Sequence, residues 1–141
     1  MRGALLPFLQ AGPSELVLAN RDMAKALTLR NELDHPRLRI SRYEELEGQS
    51  FDIVVNATSA SLTGELPPLP EGVLGETRLA YELAYGKGLT PFLRMAQAQG
   101  VARLADGVGM LVEQAAEAFA WWRGVRPETR TVIDRLTIPL E

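Results

Sequence analysis

The 141-residue sequence predicts an α/β fold built on a doubly wound parallel sheet. Short apolar segments, which are typical of buried strands, alternate with segments whose apolar residues recur at helical spacing. This alternation favours right-handed crossover connections between parallel strands. Hydrophobic residues make up 46% of the chain and charged residues 23%, which fits one globular domain with a buried core.

The chain begins with a predicted helix over residues 2–11, which the Gly12-Pro13 pair ends, although Pro7 disturbs its regularity. A short apolar strand follows at 15–19, and a second helix is predicted over 20–33. The apolar face expected for this helix comprises Met23, Ala26, Leu27 and Leu33.

The middle of the chain predicts a weak strand at 38–41 and a strong one at 51–56. Residues 59–75 are rich in Pro and Gly, so we expect a long irregular connection there.

The last part of the chain continues the alternation and ends on two helices. Strands are predicted at 78–84 and 101–105, and helices at 91–99, 107–123 and 127–136, the last with Pro127 at its start.

No strand precedes the first helix. In a dinucleotide-binding fold the first strand lies in the middle of the sheet and a glycine-rich turn follows it. Neither is present, so we expect a Rossmann-like sheet that is truncated at its N-terminal end. The strands at 15–19 and 51–56 would then each keep an unpaired edge. We expect strand exchange, re-pairing or a homodimer to cover these edges.

Composition argues against several classes of function. The net charge of −3 does not suit a general nucleic-acid binder. The chain has no cysteine and only one histidine, His35, so no thiolate or histidine-cluster metal site is expected. No apolar run is long enough for a membrane helix, and no secretory signal is evident, so we expect a cytoplasmic protein.

Asn20, Arg21 and Lys25 follow the strand at 15–19. This strand end meets the adenosine ribose in a dinucleotide-binding fold, and an Arg there suits a 2′-phosphate. Two cations near a helix N-terminus favour phosphate further. The alternative is that Asn20 only caps the helix and the cations are solvated.

Two further strand ends carry candidate ligand-binding residues. Ala57, Thr58 and Ser59 follow a buried strand, where small side chains admit a ligand and hydroxyls can donate to it. They could equally be ordinary turn residues. Tyr85 follows the next strand, where its phenol could bind a polyhydroxylated ligand or simply lie at the surface.

The helix predicted at 107–123 holds Gly107, Met110 and Gln114 on one stripe. Gly107 would allow the backbone to approach a flat ring, and Gln114 would bond either a ligand or a neighbouring loop. The adjoining apolar stripe is expected to be Leu111, Ala115, Ala118, Phe119 and Trp122.

Together these motifs resemble the shikimate dehydrogenase family. The matching motifs are Asn-Arg-x-x-x-Lys at 20–25, Asn-Ala-Thr-Ser at 56–59, Tyr-x-x-x-x-Thr-Pro-Phe-Leu at 85–93, Asp-Gly-x-x-Met-Leu-Val-x-Gln-Ala-Ala-x-Ala-Phe at 106–119 and the Trp-x-Gly-x-x-Pro ending at 122–127.

The resemblance implies reversible, NADPH-dependent reduction of 3-dehydroshikimate to shikimate in aromatic amino-acid biosynthesis. It assigns cofactor contacts to Asn20, Arg21, Lys25, Ala57, Thr58, Ser59, Leu83, Gly107 and Met110, and substrate contacts to Tyr85 and Gln114. Asp22 stands where the family usually has Thr.

The resemblance also implies that proton transfer belongs to a Lys–Asp pair in a separate N-terminal domain. Neither Lys25 nor Lys87 matches that position. We therefore expect residues 1–141 to be an incomplete NADP-binding domain without catalytic residues and without turnover alone. Two alternatives are an NAD-using quinate/shikimate dehydrogenase and a non-catalytic Rossmann-like interaction module.

Overall fold

A computed structural model of the protein describes residues 2–58, 60, 64–85 and 88–139. The chain forms two compact units. Unit 1 comprises Met1–Gln49 and Pro68–Val73, and unit 2 comprises Ser50–Pro67 and Leu74–Glu141. Every strand pairing among the described residues is parallel, and a helix connects the two strands of unit 1 and the last two strands of unit 2. The predicted α/β class with parallel sheets is confirmed.

Unit 1 contains a two-stranded parallel sheet with Leu16 opposite Leu38. Its elements are α1 (Arg2–Gln10), β1 (Leu16–Ala19), α2 (Met23–Leu33), β2 (Leu38–Ser41) and a 3₁₀ turn (Glu44–Leu46). The 3₁₀ turn was not predicted, because three residues are too few to show helical periodicity.

The core of unit 1 is made of aliphatic side chains from both helices and both strands. It consists of Leu5, Leu9, Leu18, Ala26 and Leu38, against which Leu16, Leu29, Leu33 and Ile40 pack. The apolar face predicted for α2 is wrong at Leu27, which is 43% exposed. Ala26, Leu29 and Leu33 have the i, i+3, i+7 spacing of one face, and Leu27 lies about 100° around the helix from Ala26.

Unit 2 contains a three-stranded parallel sheet in the order β3-β4-β5. Its elements are β3 (Ile53–Asn56), β4 (Leu79–Glu82), α3 (Pro91–Ala98), β5 (Arg103–Ala105), α4 (Val108–Arg123) and α5 (Arg130–Leu136). Residues 64–76 form neither strand nor helix, as predicted for this part of the connection. Ser59 and residues 61–63 of the same connection lie outside the described residues.

The helices of unit 2 have clear local determinants. The Thr90 hydroxyl caps α3 by accepting from the Leu93 N–H at 3.3 Å. Pro91 occupies the first turn of α3, where its missing N–H costs nothing. α5 begins at Arg130 and not at the predicted Pro127, so the proline precedes the helix instead of opening it.

The apolar stripe predicted for α4 is wrong. The residues that α4 buries are Val108, Val112 and Ala116. Most of the predicted stripe is exposed, namely Leu111, Ala115, Phe119 and Trp122. The long run of apolar residues in this helix left its periodicity ambiguous, and two of the three buried positions are valines.

Among the described strands, β4 alone pairs on both sides, and β1 and β3 are two of the four strands that keep one unpaired edge. β1 pairs only with β2, and β3 pairs only with β4. These are the two edges that the sequence predicted to be open, and a homodimer that covers them stays a prediction. Across the same described ranges, no helix combines the length and apolar character needed to span a bilayer.

Candidate functional site

Three parallel strands of unit 2 end at one edge of the sheet. The register places Asn56 of β3 opposite Glu82 of β4, and Tyr81 of β4 opposite Ala105 of β5. The segments that leave this edge carry the predicted residues Ala57, Thr58, Leu83, Tyr85 and Gly107. The carboxyl-end edge of a parallel sheet is where α/β proteins bind ligands.

Backbone hydrogen bonds join these three segments to one another. The Leu83 N–H donates to the Asn56 carbonyl at 3.0 Å, so the ladder continues past the end of β4. The Gly107 N–H donates to the Ala84 carbonyl at 3.1 Å and ties the start of α4 to the same segment. The three predicted motifs therefore form one connected backbone edge.

Gly107 is buried, and the backbone of Leu83 lies close against it. A Cβ at this position would lie 2.2 Å from the Leu83 carbonyl oxygen and 3.2 Å from Cδ1 of the Tyr85 ring. Because its φ of −77° suits any residue, the glycine is required here by space and not by backbone conformation. Gly107 was predicted to let the backbone approach a ligand ring, whereas the nearest group to an added Cβ is the protein's own Leu83 carbonyl.

The remaining predicted residues of unit 2 differ in exposure. Tyr85 is 48% exposed. Leu83 and Met110 are half-buried, and Gln114 is exposed, so Gln114 needs no internal partner. Side chains that are partly open to solvent at a strand end and on the following helix can receive a ligand without unpacking a core.

A buried carboxylate lies beside this edge. Glu82 is 0% exposed and accepts from Nδ2 of Asn56 at 2.9 Å, from the Ala84 N–H at 3.2 Å and from the Thr90 hydroxyl at 3.2 Å. Sequence reasoning missed this residue. The available signal was an acid inside a predicted strand, because a buried charge requires polar partners.

The Thr58 hydroxyl is already engaged within the protein. It donates to Oδ1 of Asn56 at 2.8 Å and accepts from the Ala60 N–H at 3.3 Å. The Thr58 N–H donates to the same Oδ1 at 3.1 Å. In this conformation Thr58 shapes the loop, and its hydroxyl proton does not point to a ligand. Ser59, the other predicted hydroxyl, lies outside the described residues.

Asp106 precedes Gly107 and helps to start α4. Its Oδ1 accepts from the Val108 N–H at 3.1 Å. Its Oδ2 is buried and has no hydrogen-bond partner among the described residues. Burial raises the pKa of the Tyr81 phenol, and the negative charge of Asp106 raises it further.

Asn20, Arg21 and Lys25 lie in unit 1, at the end of β1 and the start of α2. The Asn20 N–H donates to the Ser41 carbonyl at 3.3 Å, so the ends of β1 and β2 are adjacent. Asn20 Oδ1 accepts from the Asp22 N–H at 3.0 Å. The helix begins at Met23 with Asp22 as its N-cap, so the alternative that Asn20 caps the helix is wrong.

The Asp22 carboxylate is held by its own helix. It accepts from the Lys25 N–H at 3.2 Å and forms an ion pair with Nζ of Lys25 at 3.2 Å. The backbone and side-chain hydrogen bonds of Lys25 lower the pKa of Asp22. The Lys25 side chain is 78% exposed, so this surface pair is weak and can be exchanged for another anion.

Arg21 is exposed, whereas Tyr43 is buried. Burial raises the pKa of Tyr43, and the positive charge of Arg21 acts in the opposite direction. Arg21 and Tyr43 stand two residues beyond the adjacent ends of β1 and β2, respectively. The structure groups the three predicted phosphate-binding residues in unit 1 and the remaining described ones in unit 2.

A protein-family model matches the C-terminal part of the chain. Residues 107–137 match the model of the shikimate 5'-dehydrogenase C-terminal domain. Among curated proteins, the shikimate dehydrogenase (NADP(+)) of Nitrosospira multiformis is 56% identical over 136 residues, which is 96% of this chain and 50% of that protein. The chain spans about half the length of the curated relatives it matches.

Solved structures show the same half-length similarity. An Ael1 enzyme from Pseudomonas putida is 87% identical with a TM-score of 0.95, covering 99% of this chain and 51% of that one. A shikimate 5-dehydrogenase from Thermus thermophilus, solved with NADP(H) and shikimate, is 30% identical with a TM-score of 0.71. The match covers 91% of this chain and 48% of the Thermus thermophilus chain.

Proposed function

We propose that this chain, whose resemblance to the C-terminal half of the shikimate dehydrogenase family is confirmed, is the NADP-binding half of such an enzyme. The reaction is the reversible reduction of 3-dehydroshikimate to shikimate, a step of aromatic amino-acid biosynthesis. The observation that carries this proposal is the connected edge of unit 2, where Leu83, Tyr85 and Gly107 meet at the ends of parallel strands.

The polar groups of unit 1 favour NADP over NAD. An NAD-binding site offers a carboxylate to the ribose hydroxyls at the end of this strand. Here the nearest carboxylate, Asp22, accepts from the Lys25 N–H and pairs with its ammonium group. The exposed Arg21 guanidinium is left to face the ribose, where it suits a 2′-phosphate. Asn20 and Lys25 complete this contact.

The edge of unit 2 suits the nicotinamide and the substrate. Leu83 and Gly107, whose backbones approach closely at this edge, and the half-buried Met110 in the first turn of α4 receive the nicotinamide. When bound, NADPH supplies the hydride that reduces the ketone carbon. Tyr85 and Gln114, both open to solvent, bind the hydroxyls or the carboxylate of the substrate. Ala57 and Thr58 form the loop below the cofactor, which the hydrogen bonds to Asn56 hold in shape.

Proton transfer to the developing alkoxide belongs to the Lys–Asp pair that the family carries outside the matched half. We therefore expect the purified chain to catalyse no shikimate oxidation. The measurement is NADPH absorbance with shikimate and NADP⁺ in excess. Turnover by the chain alone would contradict the assignment of proton transfer to residues outside the matched half.

Substitution of Arg21 tests the cofactor assignment. Arg21→Ala should weaken NADPH binding by about tenfold or more, because a charge-assisted contact to phosphate is lost, and should leave NADH binding unchanged. Arg30→Ala is the matched control, since Arg30 is an exposed arginine in the last turn of α2, the helix that Arg21 precedes. Equal losses in both variants would contradict the assignment.

The two alternative functions predict different results when the chain is titrated with NADPH and with NADH. An NAD-using quinate/shikimate dehydrogenase would bind NADH at least as tightly as NADPH. A non-catalytic interaction module would bind neither nucleotide. The engaged Asp22 carboxylate speaks against the first, and the bonded edge around Gly107 speaks against the second.

We further propose that two copies of the chain associate through the open edges of β1 and β3. Unpaired N–H and C=O groups at a sheet edge favour pairing with another strand. Light scattering on the purified chain should give the mass of a dimer. A monomer at micromolar concentration would contradict this proposal without affecting the cofactor assignment.

A further inference from the structure

Glu82 ends β4 as a fully buried carboxylate whose bonds reach three separate segments of unit 2. Asn56 at the end of β3 and Thr90 at the start of α3 both bond to its Oε2, and the Ala84 N–H bonds to its Oε1. Burying a carboxylate is costly unless several donors satisfy it. The three donors therefore offset the cost of burying the Glu82 carboxylate, which an apolar environment would not do.

The direction of each hydrogen bond follows from the chemistry of its donor. The Asn56 amide nitrogen and the Ala84 N–H can only donate. The Thr90 hydroxyl oxygen accepts from the Leu93 N–H, so its proton is free to turn toward Glu82. All three of these bonds thus end on the carboxylate oxygens of Glu82.

The bond to Asn56 fixes the loop that follows β3. Because Nδ2 of Asn56 points to Glu82, its Oδ1 faces the other way and accepts from both the N–H and the hydroxyl of Thr58. A reversed amide would place its nitrogen against those two donors. Glu82 therefore determines the conformation of the Ala57-Thr58 loop through the orientation of one amide.

The bond to Ala84 fixes the segment that follows β4. The Ala84 N–H is held by Glu82, and the Ala84 carbonyl accepts from the Gly107 N–H. Tyr85 is the next residue along the chain. A single carboxylate thus ties the loop assigned to the cofactor to the segment that carries the substrate-binding phenol.

We propose that Glu82 is a positioning residue, which holds the Ala57-Thr58 loop and the Leu83–Tyr85 segment in the arrangement that receives NADPH. This inference rests on the proposed function. Glu82 itself is fully buried and acts through Asn56 and Ala84.

The test is a pair of substitutions that first break and then restore the bond. In Glu82→Gln the new NH₂ group faces either the Ala84 N–H or the donors of Asn56 and Thr90, and it cannot accept a hydrogen bond from them. It should weaken NADPH binding by about tenfold. In the double variant Asn56→Asp/Glu82→Gln, Nε2 of the new amide can donate to the new carboxylate. That carboxylate can still accept from Thr58, so most of the affinity should return.

Thr77→Val is the matched control. Thr77 is 6% exposed, and its hydroxyl donates to the Phe51 carbonyl at 2.9 Å at the opposite end of β3 and β4. This variant also loses a buried hydrogen bond. Its urea midpoint should fall, while its NADPH affinity should match that of the wild type. Amide hydrogen exchange should accelerate at Thr58 and Ala84 in Glu82→Gln but not in Thr77→Val.

The outcomes separate the two proposals. If the wild type binds NADPH and Glu82→Gln binds it equally well, the positioning role is refuted and the cofactor assignment stands. Equal losses of affinity in Glu82→Gln and Thr77→Val would also refute it, since stability alone would then explain both. If the wild type binds no NADPH, the proposed function fails, and the positioning role fails with it.

Discussion

Among the glycines that the structure describes, Gly107 is the one at which an added methyl group would make the shortest contact. The added Cβ would lie 2.2 Å from the Leu83 carbonyl oxygen and 2.9 Å from the Leu83 carbonyl carbon. An ordinary Cβ contact is about 3.4 Å or longer, so the two backbones must separate by roughly 1 Å. Such a shift would break the 3.1 Å hydrogen bond from the Gly107 N–H to the Ala84 carbonyl.

The expected cost follows from these two effects. Overpacking of a close contact costs about 1–3 kcal/mol, and the lost backbone hydrogen bond adds about 1 kcal/mol. With a urea m-value of about 2 kcal/mol/M, Gly107→Ala should lower the unfolding midpoint by roughly 1–2 M. The measurement is urea unfolding followed by circular dichroism.

Gly109→Ala is the matched control in the same helix. Its added Cβ would meet nothing within 4 Å. Replacement of a helical glycine by alanine stabilises a protein by about 0.5–1 kcal/mol, so this variant should unfold at slightly higher urea. If Gly107→Ala unfolded at the same urea concentration as the wild type, the close approach of Leu83 to Gly107 would be refuted.

Two further predictions concern surface ion pairs. The hydrogen bond from Arg39 lowers the pKa of Glu15, so its stabilising effect is complete above the ordinary value of 4.5 and is lost as the pH falls through the lowered value. Glu15→Gln should therefore lower the urea midpoint at pH 7, and its difference from the wild type should shrink as the pH falls below 4.5; a difference that does not change with pH would contradict this. Arg126 bonds Glu113 at 2.6 Å and also pairs with Glu117, so Arg126→Ala should lower the midpoint by less than about 0.5 M, and 1 M salt should reduce the difference. A loss that is independent of salt would show that packing and not charge is responsible.

Sequence periodicity identified the strands and most helices of this protein because their determinants are local. β2 lies at Leu38–Ser41, as predicted, and α3 begins at Pro91 with Thr90 as its cap. Gly100 and Gly124 adopt the left-handed conformation that ends a helix.

The buried faces were harder to predict because tertiary packing decides among several apolar stripes. α4 contains apolar residues on nearly every side, and only the structure shows that Val108, Val112 and Ala116 are the buried ones. Leu27 was misplaced in α2 for a similar reason.

The candidate site was predicted at the level of motifs, but its internal bonds were not. The strand ends before Ala57 and Tyr85 meet at one edge, as parallel strands require. The role of Glu82 depends on donors from Asn56 and Thr90, which lie 26 and 8 residues away in sequence. No local pattern links residues so far apart, so only the fold could reveal this network.

Calorimetric titration of the purified chain with NADPH, beside a parallel titration with NADH, tests the central claim most directly. The engaged Asp22 and the exposed Arg21 predict saturable heat with NADPH and binding of NADH that is weaker by about tenfold or more. Tighter binding of NADH, or no heat with either nucleotide, would contradict the assignment of this chain as an NADP-binding half-enzyme.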